Sequence, residues 1–245
     1  MKISDAVILM AGTGSRLRGS AETIAKPLIP IDGRPLISYA LESFEKAGVQ
    51  KIHAVVGPNG EELAAAVAPL LPRRMQFHPI PNPNWQKQNG VSLLTAAGKV
   101  RSPFFLAMGD HLFQPSILDS LLTHADPARL NLAVDRKIAS IFDLDDAMKV
   151  RADGDRIIAI GKKLDDYNAI DTGIFICPEI VFEYLRRVLK NDDCSLADGV
   201  RLMAEEGNAR AIDIGDAWWQ DVDTPEMLEQ ASSVAAALWA AQRTT

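Results

Sequence analysis

The segment Leu9-Met10-Ala11-Gly12-Thr13-Gly14-Ser15-Arg16-Leu17, followed by Lys26-Pro27-Leu28, sets two glycines, hydroxyls and two cations at the end of an apolar run. Glycines let backbone N–H groups approach an anion closely, and Arg16 and Lys26 add charge to the same cradle. The direct reading is a phosphate site. It is neither of two familiar phosphate loops. The third glycine of a dinucleotide-binding fingerprint would fall on position 17, which is Leu, and no Gly-Lys-Ser/Thr follows as in a Walker loop.

The elements that must position this loop are legible from the apolar periodicity. Ala6 to Met10 is a continuous apolar run, as expected of a strand buried on both faces. Pro35 to Ala47 carries apolar residues at helical spacing and stops at Gly48. A second strand, Ile52 to Val56, ends at Gly57, and a helix is predicted from Glu61 to about Leu71. The unit recurs with the strand Phe104 to Met108, ending in Gly109-Asp110, and a helix from Pro115 to His124. Right-handed crossovers make such a series an α/β fold with a mostly parallel open sheet, whose ligands bind beyond the carboxyl ends of the strands. After about residue 130 the pattern shifts to shorter strands: 130–134, a hairpin of 147–151 and 156–160 turning at Asp153-Gly154, 172–176, 211–214 and 218–222. Helices are predicted from Glu179 to Leu189 and from Pro225, capped by Thr224.

Composition narrows the partners. The 245 residues are 47% hydrophobic and 24% charged, with 26 Lys and Arg against 32 Asp and Glu, a formal charge of -6. No surplus of clustered cations is present to hold a nucleic-acid backbone or an anionic membrane, whereas one small anion in a local pocket is compatible. Cys177 and Cys194 are too few for a disulfide framework and too far apart for a paired-cysteine metal site, and read as ordinary thiols. The four histidines show no metal-ligand spacing; His53 reads as a satisfied core residue, and His111 lies beside Asp110 within reach of a substrate. No signal peptide and no membrane span are expected, so the cytoplasm is the simplest compartment. The apolar segment 235–241 reads as a helix face packed on the body or on a second copy, which leaves a homo-oligomer open.

The opening motif, Leu-x-Ala-Gly-x-Gly-Ser-Arg with Lys26-Pro27-Leu28 downstream, resembles that of the nucleotidyltransferases that join a sugar- or polyol-phosphate to a nucleoside monophosphate. The likeness continues through Asn89-Gly90-Val91-Ser92-Leu93, Gly109-Asp110 and Trp219-Gln220-Asp221-Val222-Asp223. Residues 133–137, 149–151, 160–162 and 170–173 look most like the CTP:inositol-1-phosphate cytidylyltransferases. The resemblance implies a Rossmann-like sheet of the nucleotidyltransferase type with a smaller mixed β subregion for the acceptor. The chain would then be a single domain over 1–245, with a nucleotide-binding part, 1–130, and an acceptor-binding part, 131–245.

In that chemistry an acceptor phosphate oxygen attacks the α-phosphorus of a nucleoside triphosphate and expels pyrophosphate, so two polyanions must meet. Charge neutralisation and in-line positioning supply most of the barrier reduction. The resemblance assigns the nucleotide to Ala11, Gly12, Thr13, Gly14, Ser15, Gly57, Asn89, Gly90 and Ser92, with Arg16 and Lys26 neutralising the phosphates. Asp110 is costly at a strand end unless it meets a cation, and Mg2+ takes one or two protein carboxylates plus phosphate oxygens. Asp221 and Asp223, two apart, share a strand face, so either could complete the pair; family spacing favours Asp221. Lys162 is the candidate for the acceptor phosphate, and Asp135, Arg136 and Asp171 for acceptor hydroxyls. The expected activity is CTP plus inositol 1-phosphate to CDP-inositol. Alternatives are another acceptor (hexose 1-phosphate, phosphocholine or a phosphonate) with CTP or UTP, and a nucleotide-binding regulatory module without turnover.

Overall fold

The computed structural model describes residues 1–12 and 25–240. In chain order the elements are β1 (Asp5–Met10), a 3-10 turn at Lys26–Leu28, β2 (Pro30–Ile31), β3 (Arg34–Pro35), α1 (Leu36–Lys46), β4 (Lys51–Val56), α2 (Gly60–Val67) and β5 (Gln76–Pro81). Next come α3 (Asn89–Leu94), β6 (Phe104–Met108), β7 (His111–Phe113), α4 (Ser116–His124), β8 (Leu130–Asp135), β9 (Lys149–Asp153) and β10 (Arg156–Gly161). The last are β11 (Ala169–Cys177), α5 (Val181–Val188), α6 (Leu196–Glu205), β12 (Ala209–Asp213), β13 (Trp219–Asp221) and α7 (Pro225–Ala240).

Nine strands form one sheet in the order β5-β4-β1-β6-β11-β8-β12-β10-β9. Strands β5, β4, β1 and β6 are mutually parallel, as are β8 and β12. Strand β11 runs antiparallel to both β6 and β8, and β10 antiparallel to β12 and β9, so only β10 and β11 oppose the common direction. The mixed subregion expected after residue 130 forms as one half of the same sheet, in which β8 to β12 pair both parallel and antiparallel and β11 is inserted at the middle.

Strand alternation sends successive residues to opposite layers. Val7, Leu106, Leu132 and Phe175 pack with Val91, Phe182, Leu185 and Val200 of α3, α5 and α6. Ala6, Ile8, Phe105 and Ile176 pack with Phe44, Val67 and Leu118 of α1, α2 and α4 on the other side. A third cluster joins Leu36, Tyr39, Leu112, Val222, Ala231, Ala235 and Trp239, and docks α7. Its Trp239 ring meets Tyr39 edge-on at 5.1 Å, so the apolar stripe predicted near the C-terminus covers the body of its own chain.

The boundaries differ from expectation where local chemistry intervenes. Helix α2 stops at Val67 and tightens into a 3-10 turn holding Pro69, which cannot continue an α-helical ladder. Strand β5 has no clean apolar pattern because it is an edge strand, and Pro79 and Pro81 are tolerated there.

Candidate active site

The carboxyl ends of β1, β4, β6 and β8 and the amino end of β11 share one rim of the sheet, and a cavity of about 660 Å³ opens there. Of the residues singled out from sequence, Ala11, Gly12, Asn89, Ser92, Asp110, Asp135, Lys162, Asp171, Asp221 and Asp223 line it. Thr13, Gly14, Ser15 and Arg16 lie outside the described residues.

At its centre Lys26 joins two acids. Its ammonium lies 3.2 Å from Asp110 Oδ2 and also donates to Asp223 Oδ1. Burial works against this ammonium, but Asp110 and Asp223 more than offset it, and its pKa stands above the ordinary lysine value. The acids arrive from segments distant in sequence, held together by a short ribbon in which β7 and β13 pair antiparallel and Asp221 opposes His111. Just beyond that pair, the Val222 N–H donates to the Asp110 carbonyl at 2.9 Å. Asp221 also lines the cavity; burial raises its carboxyl pKa, with His111 pulling it down and Asp223 and Asp110 pushing it further up.

Among the described residues no group of three or more His, Cys, Asp or Glu is arranged to enclose a metal ion. Two carboxylates that already share one cation nevertheless match what Mg2+ asks of a protein, which is one or two carboxylates with the remaining positions left to water and phosphate. Asp110 and Asp223 therefore fit a divalent ion.

On the α3 wall, Asn89 Oδ1 accepts the Leu196 N–H at 2.8 Å, and Ser92 Oγ accepts from the buried Asn82 amide at 3.0 Å. Two glycines of the sequence reading serve packing, and neither lines the cavity. A Cβ on Gly57 would sit 2.8 Å from the Ala11 carbonyl oxygen, and one on Gly90 would sit 2.7 Å from that of Cys194. Gly90 thus lets α3 approach the 194–195 backbone.

The opposite wall is acidic and aromatic. Asp135 is buried, accepting from the Lys137 backbone N–H at 2.7 Å and from Trp219 Nε1 at 3.1 Å, with Lys137 Nζ paired to it at 2.8 Å. Arg136 turns the other way, as the next residue of an extended chain must, and donates to the Gly154 carbonyl at 3.0 Å with Asp213 nearby. It does not line the cavity, unlike Asp135 and Asp171, with which the sequence groups it. Asp171 accepts the Gly173 N–H at 2.7 Å, and burial pushes its carboxyl pKa up to about 6. Lys162 bonds Asp146 at 2.5 Å across the mouth, where the exposed Phe142 also stands. Trp85, Lys137, Phe142, Met148 and Trp218 line the cavity without having been found from sequence. Only Lys137 carried a signal, as the residue two beyond Asp135.

This rim, with two acids and a lysine between a glycine-bearing strand end and an acidic wall, is that of a nucleotidyl-transfer fold. Residues 6–140 match the MobA-like NTP transferase domain, and the chain belongs to that family. It is 30% identical over 230 residues to the "Bifunctional IPC transferase and DIPP synthase" of Aquifex aeolicus, covering 94% of this chain and 51% of that protein. The protein of the same name from Rubrobacter xylanophilus is 34% identical over 226 residues, 91% of this chain and 50% of the relative. The chain spans about half the length of these curated relatives. Among solved structures, the inositol-1-phosphate CTP transferase from T. maritima superposes with a TM-score of 0.83 at 28% identity, over 96% of this chain and 97% of that one. A UDP-glucose pyrophosphorylase bound to UDP-glucose, 21% identical with a TM-score of 0.80 over 96% of this chain and 99% of that one, shares the fold. Among the described residues no helix is long and apolar enough to cross a membrane.

Proposed function

We propose that the chain transfers a cytidylyl group from CTP to inositol 1-phosphate, giving CDP-inositol and pyrophosphate. The observation that carries this reading is the Asp110–Lys26–Asp223 cluster at the sheet rim, between the Gly12 strand end and the wall of Asp135 and Asp171. The choice of nucleotide and acceptor is supported by the T. maritima transferase, which matches nearly end to end, and by the names of the curated relatives.

An oxygen of the acceptor phosphate forms a bond to the α-phosphorus of CTP while the bond to the β-phosphate bridging oxygen breaks, and pyrophosphate leaves with that electron pair. The nucleophile is ionised at neutral pH, so no general base is required. Mg2+, held by Asp110 and Asp223, would withdraw charge from the phosphate oxygens. The Gly12–Gly14 amides, Ser15 and Arg16 receive the β- and γ-phosphates, and Lys26 neutralises charge growing at the α-phosphate. Ser92 and the Asn89 amide meet the edge of the pyrimidine. Lys162 attracts the acceptor phosphate, and Asp135 and Asp171 orient its hydroxyls. Residues 1–130 gather the nucleotide and residues 131–245 the acceptor, within one domain.

Four nucleoside triphosphates tested with Mg2+ against inositol 1-phosphate, glucose 1-phosphate and phosphocholine should release pyrophosphate fastest with CTP and inositol 1-phosphate. Faster turnover of another pair would replace this substrate assignment, and nucleotide binding without pyrophosphate release from any acceptor would reduce the chain to a regulatory module.

A further inference from the structure

His111 occupies a position that the reaction above does not use. Its Nδ1 lies 2.8 Å from the Thr172 carbonyl oxygen, which can only accept, so Nδ1 carries a proton and donates. The ring is clamped on both sides. Trp219 stacks on it at 5.8 Å with the planes 29° apart. Gly173, at φ +74°, lies so close that a Cβ there would come within 2.4 Å of the imidazole. Nε2 is left toward the cavity, 3.7 Å from Asp110 Oδ1, which is too long for a hydrogen bond. Beside it stands Asp171, whose Oδ1 takes the Gly173 N–H while its other oxygen has no hydrogen bond among the described residues.

We propose that His111 is a specificity-determining residue whose Nε2 hydrogen-bonds a ring hydroxyl of the acceptor, with Asp171 receiving a neighbouring one, so that the site selects polyhydroxylated phosphates over phosphorylated amino alcohols. This deepens the assignment above and rests on it for which face holds the acceptor. His111 packs on β11 and β13, across Asp110 from the β1 end that carries Gly12. A hydroxyl both donates and accepts, so it suits an imidazole nitrogen and a carboxyl oxygen at once. A phosphate oxygen there would face Asp110, Asp171 and Asp221. A quaternary ammonium would need an aromatic face, and beside Nε2 the Trp219 ring is stacked on His111 with its Nε1 given to Asp135, so it would have to seat elsewhere in the cavity, away from His111 and Asp171.

Steady-state kinetics of the wild type, His111→Ala, His111→Gln and Gly173→Ala test this, using whichever of inositol 1-phosphate, glucose 1-phosphate or phosphocholine the wild type accepts. His111→Ala should raise KM for a hydroxylated acceptor about tenfold, the usual cost of an unmet polar contact, while KM for CTP and Mn2+ binding followed by electron paramagnetic resonance stay within about twofold. Gly173→Ala should reproduce that pattern by displacing the ring, and His111→Gln should restore part of the loss. A shift in CTP KM or Mn2+ affinity instead, an unchanged acceptor KM, or a wild type that uses only phosphocholine would overturn the proposal. Use of glucose 1-phosphate in place of inositol 1-phosphate would sink the substrate assignment yet leave the His111 test intact.

Discussion

Asp171 illustrates how a side chain can serve a site at a cost to the fold. Moving a carboxyl from its ordinary 3.8 to about 6 by burial costs about 2–3 kcal/mol once it is ionised. The sign follows: between those values the folded chain binds the proton more readily than the unfolded one, so stability falls as pH rises from about 4 to 6 and is level above. Asp171→Asn should therefore raise unfolding free energy at pH 7 by about 2 kcal/mol and flatten that slope, as urea titrations at pH 4.5 and 7 would read. For the acids around Lys26, Asp223→Asn and Asp110→Asn should each lower kcat by about 100-fold, and Asp221→Asn by less than about tenfold, because the shared cation lies between the first two. Equal losses at 221 and 223 would return Asp221 to the metal. The sequence could name Asp110, Asp221 and Asp223 from their place at strand ends. Within the pair, family spacing favours Asp221, whereas the preference for Asp223 proposed here depends on where Lys26 reaches, which no local pattern announces.

At the scale of elements, what the sequence reading found and what it missed divide along period. Strands β1, β4 and β6, buried on both faces, were visible as apolar runs. Strand β7 escaped because it is three residues long, and its role emerges only when β13 lies beside it. Helix α6 escaped although Ser195 and Asp198 form a capping box at its start, a signal available in the text of the chain. Breaking that cap with Ser195→Ala should lower stability by about 1 kcal/mol. Gly90→Ala makes a stronger demand, since the obstructing atoms are backbone of Cys194 and Ser195 and cannot rotate away. It should cost about 1–3 kcal/mol in denaturant unfolding and raise KM for CTP by shifting Asn89 and Ser92.

At the scale of the whole molecule, α7 ties the sheet rim to the far end of the chain. It begins two residues after Asp223 and is fixed by Trp239, 2% exposed, against Leu36 and Tyr39. Trp239→Ala should lower unfolding free energy by about 3 kcal/mol and weaken Mn2+ binding, although it touches no substrate; unchanged metal affinity would show that the helix and the acids are independent. Three strands of the parallel half were readable, whereas the edge strand β5 lacks an apolar pattern and the insertion of β11 between β6 and β8 is a long-range pairing that no local pattern announces. The bond from Val222 to the Asp110 carbonyl gives this architecture a division of labour. Two segments more than a hundred positions apart are bolted into one fixture, while the lip carrying Phe142 and Asp146 hangs outside it on a loop between β8 and β9. Substitutions in that lip can alter the mouth of the cavity while the paired acids keep their spacing.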